Sequence, residues 1–306
     1  MQLLTNTNFD FISKAKFSFM LSVVLILVGV GSLLINGGPN LSIDFTGGTI
    51  LQVKITPAPD ITDVRAAIEA AGFEGVQVQD FGAADEFLLT SPSIKSGELD
   101  TANAMQAALV EGLSGSNIEM RREEAVGPKI GGELKSAAMN SVVAALVLII
   151  LYITVRFIFR YGVAAIVALV HDVTITLGVF SLLDKEVSLT IIAAFLTIIG
   201  YSLNDTIVVF DRIRENMKLR RKESYKEVVN RSVNETLSRT LITSLTTLIV
   251  AGTLFVWGGA VIHDFAFALV FGVFVGTYSS IFVASPVLVW WNDRKITDPK
   301  RHRAGL

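Results

Sequence analysis

Six long apolar stretches leave this 306-residue chain few ways to fold. They run from Phe17 to Ile35, Ala137 to Val155, Gly162 to Leu183, Val187 to Phe210, Thr240 to Val256, and Phe265 to Trp291. A hydrocarbon layer of about 30 Å is crossed by about 20 residues of helix. The fifth stretch is the shortest, and the last is long enough to tilt. Backbone polar groups in lipid must bond internally, so each stretch is expected to be a helix. A mean hydropathy of +0.57 agrees with that reading. The first stretch is too long for the core of a signal peptide and lacks a small-residue cleavage pattern after it, so a retained span is expected.

Charge orients these spans. The net charge is only -2, but residues 37 to 133 hold 15 acidic and six basic side chains. The positive charge is gathered elsewhere. Lys14 and Lys16 precede span one, and Arg156 and Arg160 separate spans two and three. Arg212, Arg214, Lys218, Arg220, Arg221, Lys222, Lys226 and Arg231 lie between spans four and five. Arg294, Lys295, Lys300, Arg301 and Arg303 follow span six. The alternate connectors hold only Asp184, Lys185 and Glu186, or His263 and Asp264. Such asymmetry places both termini in the cytoplasm and the acidic block on the other side. It is a membrane-topology pattern, with no footprint for nucleic acid. Trp257, Trp290 and Trp291 fall at span ends, where amphipathic rings favour the headgroup layer.

The chain thus divides into a tail with span one (1–36), an extramembrane domain (37–134), spans two to four (135–210), a basic connector (211–239), spans five and six (240–292) and a basic tail (293–306). In the domain, Thr49 to Thr56 alternates as a strand, and Ile61 to Ala71 reads as a helix opened by Pro59-Asp60 and stopped by Gly72. Gly75 to Phe81 and Glu86 to Thr90 are strands around a turn at Gly82 to Asp85. Gly97 to Leu113 is a second helix, and Asn117 to Ala125 the closing strand. The order β-α-β-β-α-β predicts a small ferredoxin-like α+β domain on an α-helical membrane protein. That fold alone says little about function. In the connector, Val229, Val233, Leu237 and Leu241 form one apolar stripe among basic and polar residues, predicting an amphipathic helix that runs into span five.

Ionisable side chains inside spans are costly and are functional by default. Asp205 lies six residues before Asp211, about 9 Å inside the layer at 1.5 Å per residue. Burial disfavours the charged form of a carboxylate. It reads as a proton-binding site, or as a carboxylate satisfied by Asn204 or a neighbouring helix. His171 and Asp172 sit mid-span in the third helix, as a polar relay or as an interhelical clamp. Arg239 opens span five, where an arginine can snorkel to the headgroups. His263 and Asp264 read as interfacial. Gly272, Gly276, Ser280 and Ala284 recur every four residues along span six, the pattern of close helix packing.

Other chemistries are excluded by what the sequence omits. There is no cysteine, hence no disulfide or thiolate ligand. No phosphate loop, H-E-x-x-H helix or Ser-His-Asp order occurs, so neither an ATP site nor an enzyme is expected. No cofactor or metal is expected.

Several segments resemble the SecD/SecF family of protein-export membrane proteins. Ile43 to Gly48 (IDFTGG) is similar to the family's entry into its periplasmic domain, and Val126-Gly127-Pro128 with Gly131 and Glu133 to its return. Ala168 to Asp172 (ALVHD), Gly200 to Glu215 (GYSLNDTIVVFDRIRE), Ser238-Arg239-Thr240 and Thr243 to Leu248 (TSLTTL) resemble its later spans. Tyr201 to Asn204 and the single small domain resemble the SecF branch. The resemblance implies a complex with SecD, resembling one transporter of the resistance-nodulation-division superfamily, in the bacterial inner membrane. It implies use of the proton-motive force to promote late preprotein translocation through the SecYEG channel, with YajC a further partner. Protons are then the coupling ion, and Asp205 and Arg239 the proton relay. A single six-span half leaves polar positions unmatched, so the small-residue face at Gly276 and Ser280 is expected to meet SecD. A self-contained small-molecule exporter of that superfamily and a passive assembly factor are the other readings. The small domain disfavours the exporter.

Overall fold

A computed structural model describes residues 7–92 and 101–296. The basic tail positions Lys300, Arg301 and Arg303, and residues 97–100 of the second domain helix, lie outside the described residues.

Among the described residues six helices are long and apolar enough to cross a membrane. The first is α1 (Ala15–Ile35). After the domain come α5 (Pro128–Arg156), α6 (Phe159–Leu182), α7 (Leu189–Leu219) and α8 (Tyr225–Trp257). The last span is α9 (Ala260–Ser279), a π-helical segment at Ser280–Ala284, and α10 (Ser285–Ile296). Helices α5, α7 and α8 run well beyond their apolar stretches. Pro128 at the first turn of α5 has the fixed φ that suits a helix start, so α5 begins nine residues before the apolar run at Ala137. The connector helix and span five are one helix, α8. A capping box starts it, with Ser224 and Glu227 each accepting from the other's backbone N–H. Beyond the apolar zone α7 and α8 are tied by Arg212 to Glu235 at 2.6 Å and by Asn216 Nδ2 donating to Glu235 at 2.7 Å and Ser232 at 3.0 Å.

The π segment was not foreseen. Pro286 lacks an N–H and clashes with the carbonyl four residues back, so a straight α-helix cannot pass through it. The chain widens by one residue per turn just before it, and Ser285 Oγ donates to the Ser280 carbonyl at 3.0 Å.

The domain begins with the short helix α2 (Ile43–Thr46). It continues as β1 (Gly48–Thr56), α3 (Ile61–Ala70), β2 (Gln77–Phe81), β3 (Ala83–Pro92), α4 (Thr101–Gly112) and β4 (Asn117–Val126). The antiparallel sheet has order β2-β3-β1-β4, the ferredoxin-like arrangement. Leu51, Val53, Ile55, Phe87 and Leu89 point to one face, where Val64, Ile68, Met105 and Leu109 of α3 and α4 cover them. The hairpin is tighter than expected: β3 starts at Ala83, and Phe81 pairs with Ala83 around Gly82 at φ +79. A positive φ there suits glycine, which lets the strand extend into residues assigned to the turn.

The domain is joined to the spans at one crossing point. Gly47 and Gly48 have φ of +75 and +147, and a Cβ on Gly48 would sit 2.5 Å from the Ser91 carbonyl. A Cβ on Gly131 of α5 would sit 3.0 Å from Gly47 N. The entering segment and the first turn of α5 therefore touch backbone to backbone. The entering segment also docks on the α6–α7 connector. Ser42 N donates to Val187 O at 3.1 Å, and Val187 N to Asn40 O at 2.7 Å. Asp44 Oδ2 accepts from Leu189 N, the first residue of α7, at 2.9 Å. A carboxylate is favoured at that helix end by the macrodipole.

At the opposite end, residues before α1 are strapped to α8. Asn234 Oδ1 accepts from Phe9 N at 2.8 Å, and its Nδ2 donates to Phe9 O at 2.8 Å. One turn away, Asn230 Oδ1 accepts from Phe11 N at 2.9 Å and Ile12 N at 3.3 Å. The two amides, four residues apart on one helix face, bond the backbone of the chain that leads into α1.

Candidate functional site

Two polar centres lie inside the span bundle. The first is Asp205 on α7, only 2% exposed. Its neighbours on α7, Leu203, Thr206 and Val209, are themselves buried, which turns the carboxylate towards α8. There Thr243 Oγ1 contacts Oδ1 at 3.4 Å, a long hydrogen bond that Thr243 shares with the Arg239 and Thr240 carbonyls. Oδ2 is buried and has no hydrogen-bond partner. Such a group can gain or lose a proton at Oδ2 without first breaking a protein contact there. Close by, Tyr201 Oη donates to Ser244 Oγ at 3.1 Å, and Ser244 meets Thr277 at 2.7 Å, linking α7, α8 and α9.

Arg239 is on α8 one turn before Thr243, but it is exposed and makes no ion pair with Asp205 within 4 Å. Asn204 is also exposed and makes no hydrogen bond to Asp205. The reading in which Asn204 satisfies the carboxylate does not fit this geometry. Adjacent α7 residues lie about 100° apart around the axis, so a buried Asp205 turns Asn204 outwards.

The second centre is His171–Asp172 on α6, 4% and 1% exposed. Asp172 Oδ2 accepts from Ser202 of α7 at 2.5 Å and Ser279 of α9 at 2.8 Å. Asp172 Oδ1 faces His171 Nδ1 at 2.8 Å. His171 Nε2 faces Ser22 of α1 at 2.9 Å. Tyr278 stacks on the imidazole with ring centres 6.0 Å apart, and its Oη donates to Ser18 O at 2.8 Å. Four helices meet here, and both ionisable side chains have partners at every polar atom. The sequence reading singled out the pair but missed its hydroxyl partners. Ser22, a hydroxyl in the apolar run of span one, was the available signal.

The small residues of span six pack inside the chain. A Cβ on Gly272 would collide with Ile198 of α7, and one on Gly276 would lie 3.0 Å from Ser202 Cβ. Ser280 and Ala284 are fully buried. The expected meeting of Gly276 and Ser280 with a second subunit is therefore corrected. Their helix face is filled by α7, and a second protein would have to remove α7 to reach it. A different face is open: α5 and much of α8 are exposed, as are Thr197, Gly200 and Asn204 on α7 and Arg239 and Thr246 on α8.

At the domain end, Lys185 bonds Asp264 at 2.5 Å, and His263 Nδ1 lies 3.3 Å from the same carboxylate. Burial pushes the Glu186 carboxyl above its usual range, and Asp264, Asp184 and Asp44 add to the effect. Among the described residues no three His, Asp or Glu side chains converge as metal ligands would.

Comparison with known proteins decides the family. Residues 105–294 match the family described as protein export membrane protein SecD/SecF, C-terminal, and residues 32–59 match the SecD/SecF GG motif. The chain belongs to the SecD/SecF family. The GG motif is the segment whose glycines touch α5 and whose Asp44 caps α7. The chain is 46% identical to the protein translocase subunit SecF of Desulfurispirillum indicum, covering 90% of this chain and 88% of that one. It is 47% identical to the SecF subunit of Vibrio alginolyticus, covering 90% and 87%. It is 43% identical to the subunit SecDF of Thermus thermophilus, covering 95% of this chain but 40% of that one. A crystal structure of that SecDF, titled a translocon-associated membrane protein, superimposes with a TM-score of 0.87 at 41% identity, over 96% of this chain and 40% of the other. This chain thus spans about two-fifths of that longer protein. Family and helices together make it a multi-pass membrane protein.

Proposed function

We propose that this chain is a SecF-type subunit of the Sec protein-export machinery. In this reading it pairs with SecD in the bacterial inner membrane and uses the proton-motive force to draw preproteins through SecYEG. Both termini then face the cytoplasm, as the lysine and arginine asymmetry favours, and the α+β domain faces the periplasm. The SecF and SecDF names of its relatives support the role. The uncovered polar face supports a membrane partner. Arg239 and Asn204 are exposed within spans of the single chain, and such groups are costly against lipid. SecD covers that face in this reading, and YajC joins the assembly.

The observation that carries the mechanism is Asp205, buried mid-span with an unpartnered Oδ2. It takes and releases the proton. Arg239 stays charged throughout, as a guanidinium does, and supplies a fixed positive field one turn along α8. Because α7 carries Asp205 and is capped by the domain's entry segment through Asp44, a change at the carboxyl reaches the domain along one helix. The test is Asp205→Asn, which preserves shape and cannot titrate. Export into inverted membrane vesicles is measured with and without a proton gradient. The variant is expected to co-purify with SecD and to lose gradient-dependent stimulation. Equal stimulation in wild type and variant overturns the relay and leaves a scaffold.

A further inference from the structure

The His171–Asp172 centre can be read by counting protons. Tyr278 Oη has one hydrogen, and it goes to the Ser18 carbonyl, which can only accept. The 3.3 Å contact between Tyr278 Oη and Ser22 Oγ can therefore be a hydrogen bond only if Ser22 donates. Ser22 has then spent its hydrogen, so His171 Nε2 must carry a proton to hold the 2.9 Å contact with Ser22. Nε2 being protonated, the 2.8 Å contact between His171 Nδ1 and Asp172 Oδ1 needs one more proton between them. The full set of contacts thus fixes one proton on Nε2 and one shared between Nδ1 and Oδ1.

Removing one proton leaves one good arrangement. Nδ1 keeps its hydrogen and donates to Asp172. Nε2 becomes an acceptor, and the Ser22 hydroxyl turns to donate to it. Asp172 Oδ2 keeps Ser202 and Ser279 in both states. The loss falls on the contact between Ser22 and Tyr278: two oxygens then face each other with no hydrogen between them, and they repel. One proton more or less thus makes or breaks a tie between α1 and the last span, beside the π segment, where that span's hydrogen bonding is already irregular.

We infer that the His171–Asp172 pair is a second proton-binding site, whose proton adds the Ser22–Tyr278 bond to the Tyr278–Ser18 bond that ties α1 to the last span in both states. The N–H bond at Nε2 breaks, water takes up the proton, and the Ser22 hydroxyl turns its hydrogen bond from Tyr278 to Nε2. The groups facing the pair are Ser22 from α1, Ser202 from α7, and Tyr278 and Ser279 from α9, with the Ser18 carbonyl reaching only Tyr278. Among the described residues no lysine, arginine or further carboxylate lies within hydrogen-bonding distance of it; the next acid along α7 is Asp205, three residues past Ser202. The site stands independently of the role proposed for Asp205.

The test is nitrogen NMR of the full chain in lipid nanodiscs, with labelled histidine and with His263→Gln and His302→Gln so that only His171 reports. As pH rises from 4 to 10, Nε2 is expected to pass from a protonated to an unprotonated signal while Nδ1 remains protonated. Tyr278→Phe removes the acceptor that the loaded state needs and the oxygen that the unloaded state repels. It is expected to move the transition to lower pH by about half a unit, roughly threefold in proton affinity, the scale of one hydrogen bond. Asp205→Asn is expected to leave the transition in place, which separates this site from the relay. An Nε2 signal of one kind across the whole range overturns the inference and leaves a fixed clamp. So does a transition that Tyr278→Phe does not move.

Discussion

Gly29 and Gly178 bring α1 and α6 closer than any side chain allows. A Cβ on Gly29 would lie 2.8 Å from Gly178 Cα, and one on Gly178 would lie 2.6 Å from Gly29 Cα. Both neighbours are backbone, so no rotamer can relieve the clash. Carbon atoms in ordinary contact sit about 3.5–4.0 Å apart, so Gly29→Ala must part the helices by about 1 Å. One turn on, Ser32 and Ser181 are bonded at 2.8 Å. At about 3.8 Å that bond is gone. Overpacking costs about 1–3 kcal/mol, and an interhelical hydrogen bond in a membrane is worth about 0.6 kcal/mol. Gly29→Ala is thus expected to cost about 1.5–3.5 kcal/mol. The control is Gly31→Ala, on the same helix, where an added Cβ meets nothing within 4 Å. Reversible unfolding in lipid bicelles by steric trapping measures both. If the two variants agree within about 0.5 kcal/mol, the size of an ordinary surface substitution, the close approach is not what holds α1 to α6.

Two further outcomes follow from the ends of the bundle. Glu186 titrates above its ordinary range when folded, so the fold favours its protonated form. Stability from this group is full below the unfolded value, falls as pH rises towards the folded value, and stays lower above it. Glu186→Gln is expected to flatten that part of the pH–stability curve and to stabilise the protein at neutral pH; an unchanged curve would show that the carboxyl is not penalised. Asn230→Ala removes the acceptor for the Phe11 amide, which is expected to exchange its hydrogen on the order of tenfold faster. Unaltered exchange would mean that the strap is held by other contacts.

Periodicity and charge made the six spans and the β-α-β-β-α-β order of the domain legible, because both patterns are written in single residues at fixed spacing. What they could not report is which neighbour fills a face. Gly272 and Gly276 mark a helix that is approached closely, but the same pattern serves a subunit contact and an internal one, and here Ile198 and Ser202 of α7 occupy it. Asp205 and His171–Asp172 were visible as charges in apolar runs. Their difference was not: Asp172 is saturated by Ser202 and Ser279, whereas Asp205 keeps one oxygen unpartnered. Those partners are 30 and 107 residues away from Asp172 in sequence, and no local pattern links them. Pro286 was a signal that could have been used, since a proline inside an apolar span forces local rearrangement. The Asn230 and Asn234 strap reads backbone atoms, which every sequence supplies alike.

The docking of the GG segment also bears on the order in which the protein is built. β1 finds both its sheet neighbours once the chain has reached Val126, so the domain can close on itself early. Its anchor cannot form then. Asp44 waits for the amide of Leu189, 145 residues later, and Asn40 for Val187. Contacts of such long separation carry a loop-closure cost before they repay it and form late. During synthesis the domain is therefore complete while its seat on the bundle is still missing, and α7 starts without its carboxylate cap. Seating the entry segment and capping α7 become one event, which joins the part outside the membrane to the part within it.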